Sequence, residues 1–245
     1  MKTISNQNKI YIGRNAGLEI LEALRNSRKS IKIVSPYLSG SYLEKLVNLQ
    51  KKGIDITLIT CDDIKEEVNK FSNFRLSDII KQKKILNNNN NNSKTIKNIL
   101  FYTSLSLLLL SLIIFIISLT LSITLLISLS ILIISLLGFA CSYFIKEFNY
   151  EYYSIFKIKI FDSHSGDKPW STNLVHSKIF VIDEEIAFLG SANFTYSGFK
   201  NHYETVIKIL DLNAIKDISN EIENLYNSTE LKSKSIDEIG KRIYE

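Results

Sequence analysis

The sequence predicts an α/β protein whose two halves are separated by an inserted two-helix transmembrane hairpin. Three observations carry this. Short β-branched runs alternate with amphipathic helical ones through residues 10–71, as strands and helices taken in turn. Period-two apolar patterning returns after residue 150, now with a tight turn between two strands. Between these regions, from Asn98 to Ile145, 48 residues pass without one Asp, Glu, Lys, Arg or His.

Ile10–Gly13 opens as a short strand. Gly17–Lys29 carries Leu18, Ile20, Leu21 and Leu24 at helical spacing, so it reads as an amphipathic helix. Ile31–Val34 is a strand, stopped by Ser35-Pro36-Tyr37. Tyr42–Lys52 is a second helix, ended by Gly53 in the position that favours a left-handed cap. Ile54–Thr60 alternates as a strand, and the acids of Asp63–Phe71 begin a third helix. Residues 1–80 are thus the first half of a domain. Residues 81–97, with five lysines and the six asparagines Asn87–Asn92, read as a flexible polar linker.

A membrane-spanning helix needs about 20 apolar residues, so the uncharged stretch at 98–145 suits two. They are placed at Ile99–Thr120 and Ser122–Phe144, with a tight turn around Thr120–Ser122 that neither Pro nor Gly marks. Serine and threonine hydroxyls inside the spans bond back to helix carbonyls and do not oppose insertion. A helix pair buried in a soluble core is the other reading, and apolarity on all faces over this length disfavours it. Two spans return the chain to its starting side. Lys81, Lys83, Lys84, Lys94 and Lys97 precede the pair and Lys146 follows it, while the connecting loop has no charge. The positive-inside rule therefore puts both flanks in the cytoplasm. Phe148, Tyr150, Tyr152 and Tyr153 read as interfacial anchors.

Residues 146–245 are the second half. Tyr153–Phe161 reads as a strand and Asp162–Asn173 as a loop. Val175–Ile182 and Ile186–Leu189 are strands joined by the turn Asp183-Glu184-Glu185. Tyr203–Ile209 is a further strand, Asp211–Tyr226 a helix, and the tail is polar. The first half offers strands without an obvious catalytic group and the second offers strands with few helices to cover them, so the two read as halves of one domain.

Charge is unevenly spread. Residues 1–98 hold 18 Lys and Arg against 9 Asp and Glu, and residues 146–245 hold 12 against 16. The basic first part suits an anionic partner, phosphate-bearing or membrane, and equally a solvated surface with topogenic lysines. Cys61 and Cys141 form no CxxC pattern, so neither a disulfide framework nor a zinc site is expected. The polar N-terminus lacks the apolar core of a cleavable signal peptide.

The chemistry concentrates between His176 and Glu204. Alternate side chains of a strand share a face, so His176 and Lys178 point the same way. Asp183 falls on the other parity, at the turn, and reads as structural rather than as a substrate contact. Gly190-Ser191-Ala192-Asn193 ends the next strand and brings a hydroxyl and an amide beside His176. An ammonium, a hydroxyl and an amide make an anion site, and a neutral imidazole can attack phosphorus there. His164 and His202 read as loop residues, and Trp170 and Tyr37 as packing or rim residues.

The spacing His176-x-Lys178-x4-Asp183-x6-Gly190-Ser191-x-Asn193 resembles the HKD motif of the phospholipase D superfamily. The resemblance covers about residues 9–75 and 150–226. It implies a mixed sheet flanked by helices, with His176 as a nucleophile that forms a phosphohistidine. It makes His176, Lys178, Asp183 and Glu204 the catalytic set, with Glu204 orienting the histidine ring. Lys178, Ser191 and Asn193 would bind the substrate phosphate. No metal or other cofactor is implied. Such sites use two HKD motifs and this chain has one, so a homodimer that completes the site is expected. The expected activity is that of a membrane-anchored phosphodiesterase on a phospholipid head group. The alternatives are a membrane-tethered endonuclease and a non-catalytic scaffold that binds phosphate.

Overall fold

The computed structural model describes residues 8–62, 76–86, 91–118, 124–145, 148–162 and 175–245. The chain forms two compact units, one of Met1–Gln82 with Tyr152–Glu245 and one of Lys83–Glu151.

The first unit is built on an eight-stranded mixed sheet. Its strands are β1 (Lys9–Gly13), β2 (Ser30–Val34), β3 (Asp55–Cys61), β6 (Lys157–Phe161), β7 (Ile179–Ile182), β8 (Ile186–Gly190), β9 (Glu204–Ile209) and β10 (Ser233–Lys234). Their spatial order is β1-β9-β8-β7-β2-β3-β6-β10. β2, β3 and β6 run parallel, and the remaining pairs are antiparallel. Period-two alternation divides the core. Ile31, Ile33, Ile56, Leu58, Phe180 and Phe188 face a cluster that includes helices α1 (Leu18–Arg25) and α2 (Gly40–Gln50). Val34, Ile59, Val181 and Ala187 face the opposite cluster with α5 (Leu212–Asn227). Each large side chain so buried contributes about 1.5–3 kcal/mol.

Helix α1 is shorter than its periodicity predicts, ending at Arg25. The amides of Arg28, Lys29 and Ser30 instead donate to the Asp183 carboxylate. Gly53 has φ +90°, the left-handed conformation expected of it. Asp211 caps α5 by accepting from the Ala214 amide at 2.8 Å.

Four differences from the sequence-based expectations stand out. Tyr153–Phe161 is two strands, β5 (Phe148–Ser154) and β6, broken where the Ile155 amide donates to the Ile79 carbonyl. The run Val175–Ile182 enters the ladder only at Ile179. The polar tail holds β10 and a helix, α6 (Ile236–Tyr244), started by a capping box between Ser235 and Glu238. Part of the expected linker is ordered, with β4 (Ile80–Leu86) pairing with β5 in a two-stranded ribbon and the next helix starting at Asn91. Lysine is a poor strand former. Here β5 supplies rings, with Lys84 Nζ 3.4 Å from the centre of Phe148. The expected third helix at Asp63–Phe71 lies outside the described residues.

The second unit holds helices α3 (Asn91–Ser118) and α4 (Thr124–Phe144). Both are long and apolar enough to cross a membrane, over Lys94–Ile117 and Leu126–Phe144. The turn expected around Thr120–Ser122 lies outside the described residues. Back-bonding of hydroxyls to carbonyls one turn earlier occurs at Thr103, Ser106, Ser111, Ser130 and Ser142. Serines are the buried side chains of the pair among the described residues. Ser104 and Ser111 on α3, and Ser128, Ser135 and Ser142 on α4, are buried and recur every seven residues. Ser135 Oγ donates to the Ser104 carbonyl at 2.8 Å. A Cβ at Gly138 would run into Ser104 Oγ, so the backbones approach closely there. Leu126, Leu137, Leu109 and Ile134 face outward.

Candidate active site

The segment Val175–Lys178 leads into β7 in the middle of the sheet. Its start is held by Cys61, whose Sγ donates to the Val175 carbonyl at 3.5 Å. Its end is held by the Gly190 amide, which donates to the Lys178 carbonyl at 3.3 Å. His176 is exposed, whereas Lys178 is 7% exposed. Lys178 Nζ lies 2.9 Å from Nδ1 and 3.0 Å from Nε2 of His176, and donates to the His176 carbonyl at 2.7 Å. The shared face expected of these two residues therefore holds, although they precede the ladder. Burial pushes the Lys178 ammonium below its ordinary pKa, and the nearby Glu204 charge pulls the other way.

The turn after β8 places the other expected residues. A Cβ at Gly190 would collide with the Thr205 carbonyl, so this position admits only glycine at such an approach. Ser191 Oγ donates to the Glu204 carboxylate and accepts from the Thr205 amide at 3.0 Å. Glu204 is 8% exposed, and its other carboxylate oxygen lies 3.6 Å from Nδ1 of His202. The Glu204 carboxylate thus meets Ser191 and His202, while the His176 ring meets Lys178. The Asn193 side-chain oxygen is buried and, among the described residues, has no hydrogen-bond partner. A polar group so placed is costly unless a ligand or water satisfies it.

Asp183 lies apart from this group. It has φ +57° and is followed by Glu184 at φ +56°, the paired left-handed residues of a tight hairpin turn. Burial acts to raise its pKa, but bonds from the Ser30, Lys29 and Arg28 amides outweigh it and hold the carboxyl below its ordinary range. The structural part read for Asp183 from its parity agrees with this geometry. A surface concavity lies behind that turn, lined by Glu19, Arg28, Asp183 and Lys208, and among its lining residues are neither His176 nor Asn193.

Sequence reading missed the loop after β2. Ser35 Oγ accepts from the Phe194 amide at 2.9 Å and donates to the Tyr37 carbonyl at 2.8 Å. Leu38 bridges to Phe194, and the Ser39 amide donates to its carbonyl at 3.1 Å. This stitching fixes Asn193 from the side opposite β9. A serine before a proline carries no signal that would reveal it. His164 and Trp170 lie outside the described residues, and His202 is exposed.

Residues 143–226 match the family described as cardiolipin synthase, PLD-like domain. Cardiolipin synthase 1 of Bacillus anthracis is 30% identical over 79 residues, and that of Bacillus cereus is 32% identical over 79 residues. Each match covers 31% of this chain and only 16% of the relative. Among solved structures, NucT from Helicobacter pylori aligns over 93% of this chain and 99% of its own, at 14% identity and a TM-score of 0.47. Nuc from Salmonella typhimurium, a phospholipase D family member, aligns over 93% and 99%, at 12% identity and a TM-score of 0.43.

Proposed function

The chain belongs to the phospholipase D superfamily, and on that premise we propose that it is a membrane-anchored phosphodiesterase acting through a covalent phosphohistidine on His176. The observation that carries this reading is the buried Lys178 ammonium 2.9 Å from a His176 ring nitrogen. An unprotonated imidazole nitrogen is the form that attacks phosphorus. An arriving phosphate competes for the ammonium and frees that nitrogen. Lys178 and the Asn193 amide then hold the nonbridging oxygens as charge gathers on them.

In the first step a His176 nitrogen forms a bond to phosphorus as the bond to the leaving oxygen breaks. That oxygen takes a proton from a second histidine, supplied by His176 of a second copy in a homodimer. Water then attacks phosphorus and gives its proton to the same group. The phosphorus–nitrogen bond breaks and its electron pair returns to His176. Glu204 acts through Ser191 and His202, positioning the turn that carries Asn193.

The two helices are proposed as spans, with the sheet unit in the cytoplasm. The serine-lined seam and leucine-rich exterior support this, because the reverse sorting would hold in water. An anchored site meets phospholipid head groups directly, which favours a phospholipid diester over nucleic acid as substrate. The test compares wild type with His176→Asn in chelator, on phospholipid vesicles and on single- and double-stranded nucleic acid. Lipid cleavage lost in the variant is the expected result. Nucleic-acid cleavage lost in the variant would make the chain a tethered endonuclease. Activity on neither would make it a phosphate-binding scaffold.

A further inference from the structure

We propose that the ribbon end of the second unit is a collar that selects anionic phospholipids around the helix pair. This rests on the two spans proposed above and goes beyond them by naming a lipid class. β4 ends at Leu86 and α3 begins at Asn91, while α4 ends at Phe144 and β5 begins at Phe148. Both strands and both helix ends are therefore tied within a few residues of one another. Among the described residues gathered there, lysines outnumber acids. Lys83, Lys84 and Lys94 are exposed, and among the described residues none of them is paired with a carboxylate. The acid among the described residues of this unit is Glu151.

The same end carries exposed rings. Tyr143 is 83% exposed and Phe144 79% exposed at the close of α4, and Tyr150 stands out from β5. Such rings settle at head-group depth, which brings the lysines to the level of lipid phosphates. Lysines that serve only to set topology can be mobile. Here Lys84 is held over Phe148, and the ribbon fixes Lys83 on the opposite face of the strand. A fixed cation keeps more of its attraction, because less side-chain entropy is lost on contact. A zwitterionic head group offers these lysines its own cation as well as its phosphate, whereas an anionic one offers only negative charge.

The test reconstitutes the full chain in phosphatidylcholine vesicles with trace spin-labelled phosphatidylglycerol or spin-labelled phosphatidylcholine. Electron spin resonance reads the fraction of each label slowed by the protein. The expected result is a preference of roughly fivefold for phosphatidylglycerol at low salt, one lysine's share of surface attraction. That preference should vanish in Lys83→Gln/Lys84→Gln/Lys94→Gln and survive in the matching arginine variant. Equal slowing of both labels by wild type would overturn the collar and leave the spans standing. No slowed component for either label would overturn the spans and the collar with them. Should the glutamine variant fail to insert, salt makes the same measurement on wild type. A preference undiminished at about 1 M salt, where the screening length falls to about 3 Å, would overturn the proposal.

Discussion

In the sheet unit the fully buried side chains include Ile31, Ile33, Leu58, Phe180 and Phe188, whereas the helix pair encloses Ser104, Ser111, Ser128, Ser135 and Ser142. The sheet unit encloses isoleucine, leucine and phenylalanine, whereas the helix pair turns those side-chain types outward. Water drives apolar groups together and leaves charges outside. Hydrocarbon supplies no such drive, and helices in it associate through small residues, close backbones and hydrogen bonds. The position of isoleucine, inside one unit and outside the other, therefore reports which solvent each unit suits.

The largest expected effect tests whether chemistry belongs to the sheet unit alone. His176→Asn should lower turnover by roughly 10³-fold or more in the detergent-solubilised chain while circular dichroism stays unchanged. Activity that persists would remove His176 from the mechanism. Next is Ile33→Ser, which puts a hydroxyl into the sheet core and should cost about 3 kcal/mol in a urea titration. A loss well below about 1 kcal/mol would contradict the sorting seen in that unit. Gly138→Leu should separate α3 from α4 at a cost of about 2 kcal/mol, read as a drop in energy transfer between labels on the two helices. Unchanged transfer would show that the close approach at Ser104 does not hold the pair together.

Asp183→Asn should cost about 1–2 kcal/mol, since three backbone amides donate to a charged group there. Its carboxyl pKa is lowered in the folded chain. The stability it supplies is present above the unfolded carboxylate range and is lost as pH falls through the folded value. The variant should therefore lose less stability than wild type between about pH 5 and pH 3. Equal acid sensitivity would break the assignment. The smallest effect is Ser135→Ala, about 0.6 kcal/mol, the usual worth of one interhelical hydrogen bond in a membrane. A cost several times larger, measured by the same energy-transfer assay, would make that bond the main tie of the pair.

Much of this organisation was legible in the sequence where one period dominates. The alternation of β2 and the short β-branched run of β3 marked strands, and the spacing from His176 to Asn193 marked the candidate site. What escaped depends on partners distant in sequence. Lys81, Lys83 and Lys84 read as linker because the rings that support β4 lie beyond the helix pair, in β5. The break at Ile155 comes from Ile79, and the early end of α1 from Asp183. The serines of the spans read only as tolerated in a membrane, and their seam appears when the two helices face each other. Glu204 was expected to orient the His176 ring, whereas its carboxylate meets Ser191 and His202, with the Ser191 amide donating to the Thr205 carbonyl beside it.

The position of the helix pair in the chain also dictates the order in which the sheet can be assembled on the ribosome. β2–β3 is the pairing available to the first half by itself. β1–β9, β2–β7 and β3–β6 each join a strand made before the helices to one made after them. The nascent first half must therefore wait, with the edges of β2 and β3 uncovered, while all of α3 and α4 is synthesised. His176 reaches its place only when β7 docks against β2, so the site is completed after the helix pair has emerged, and no truncated product ending within that pair carries it.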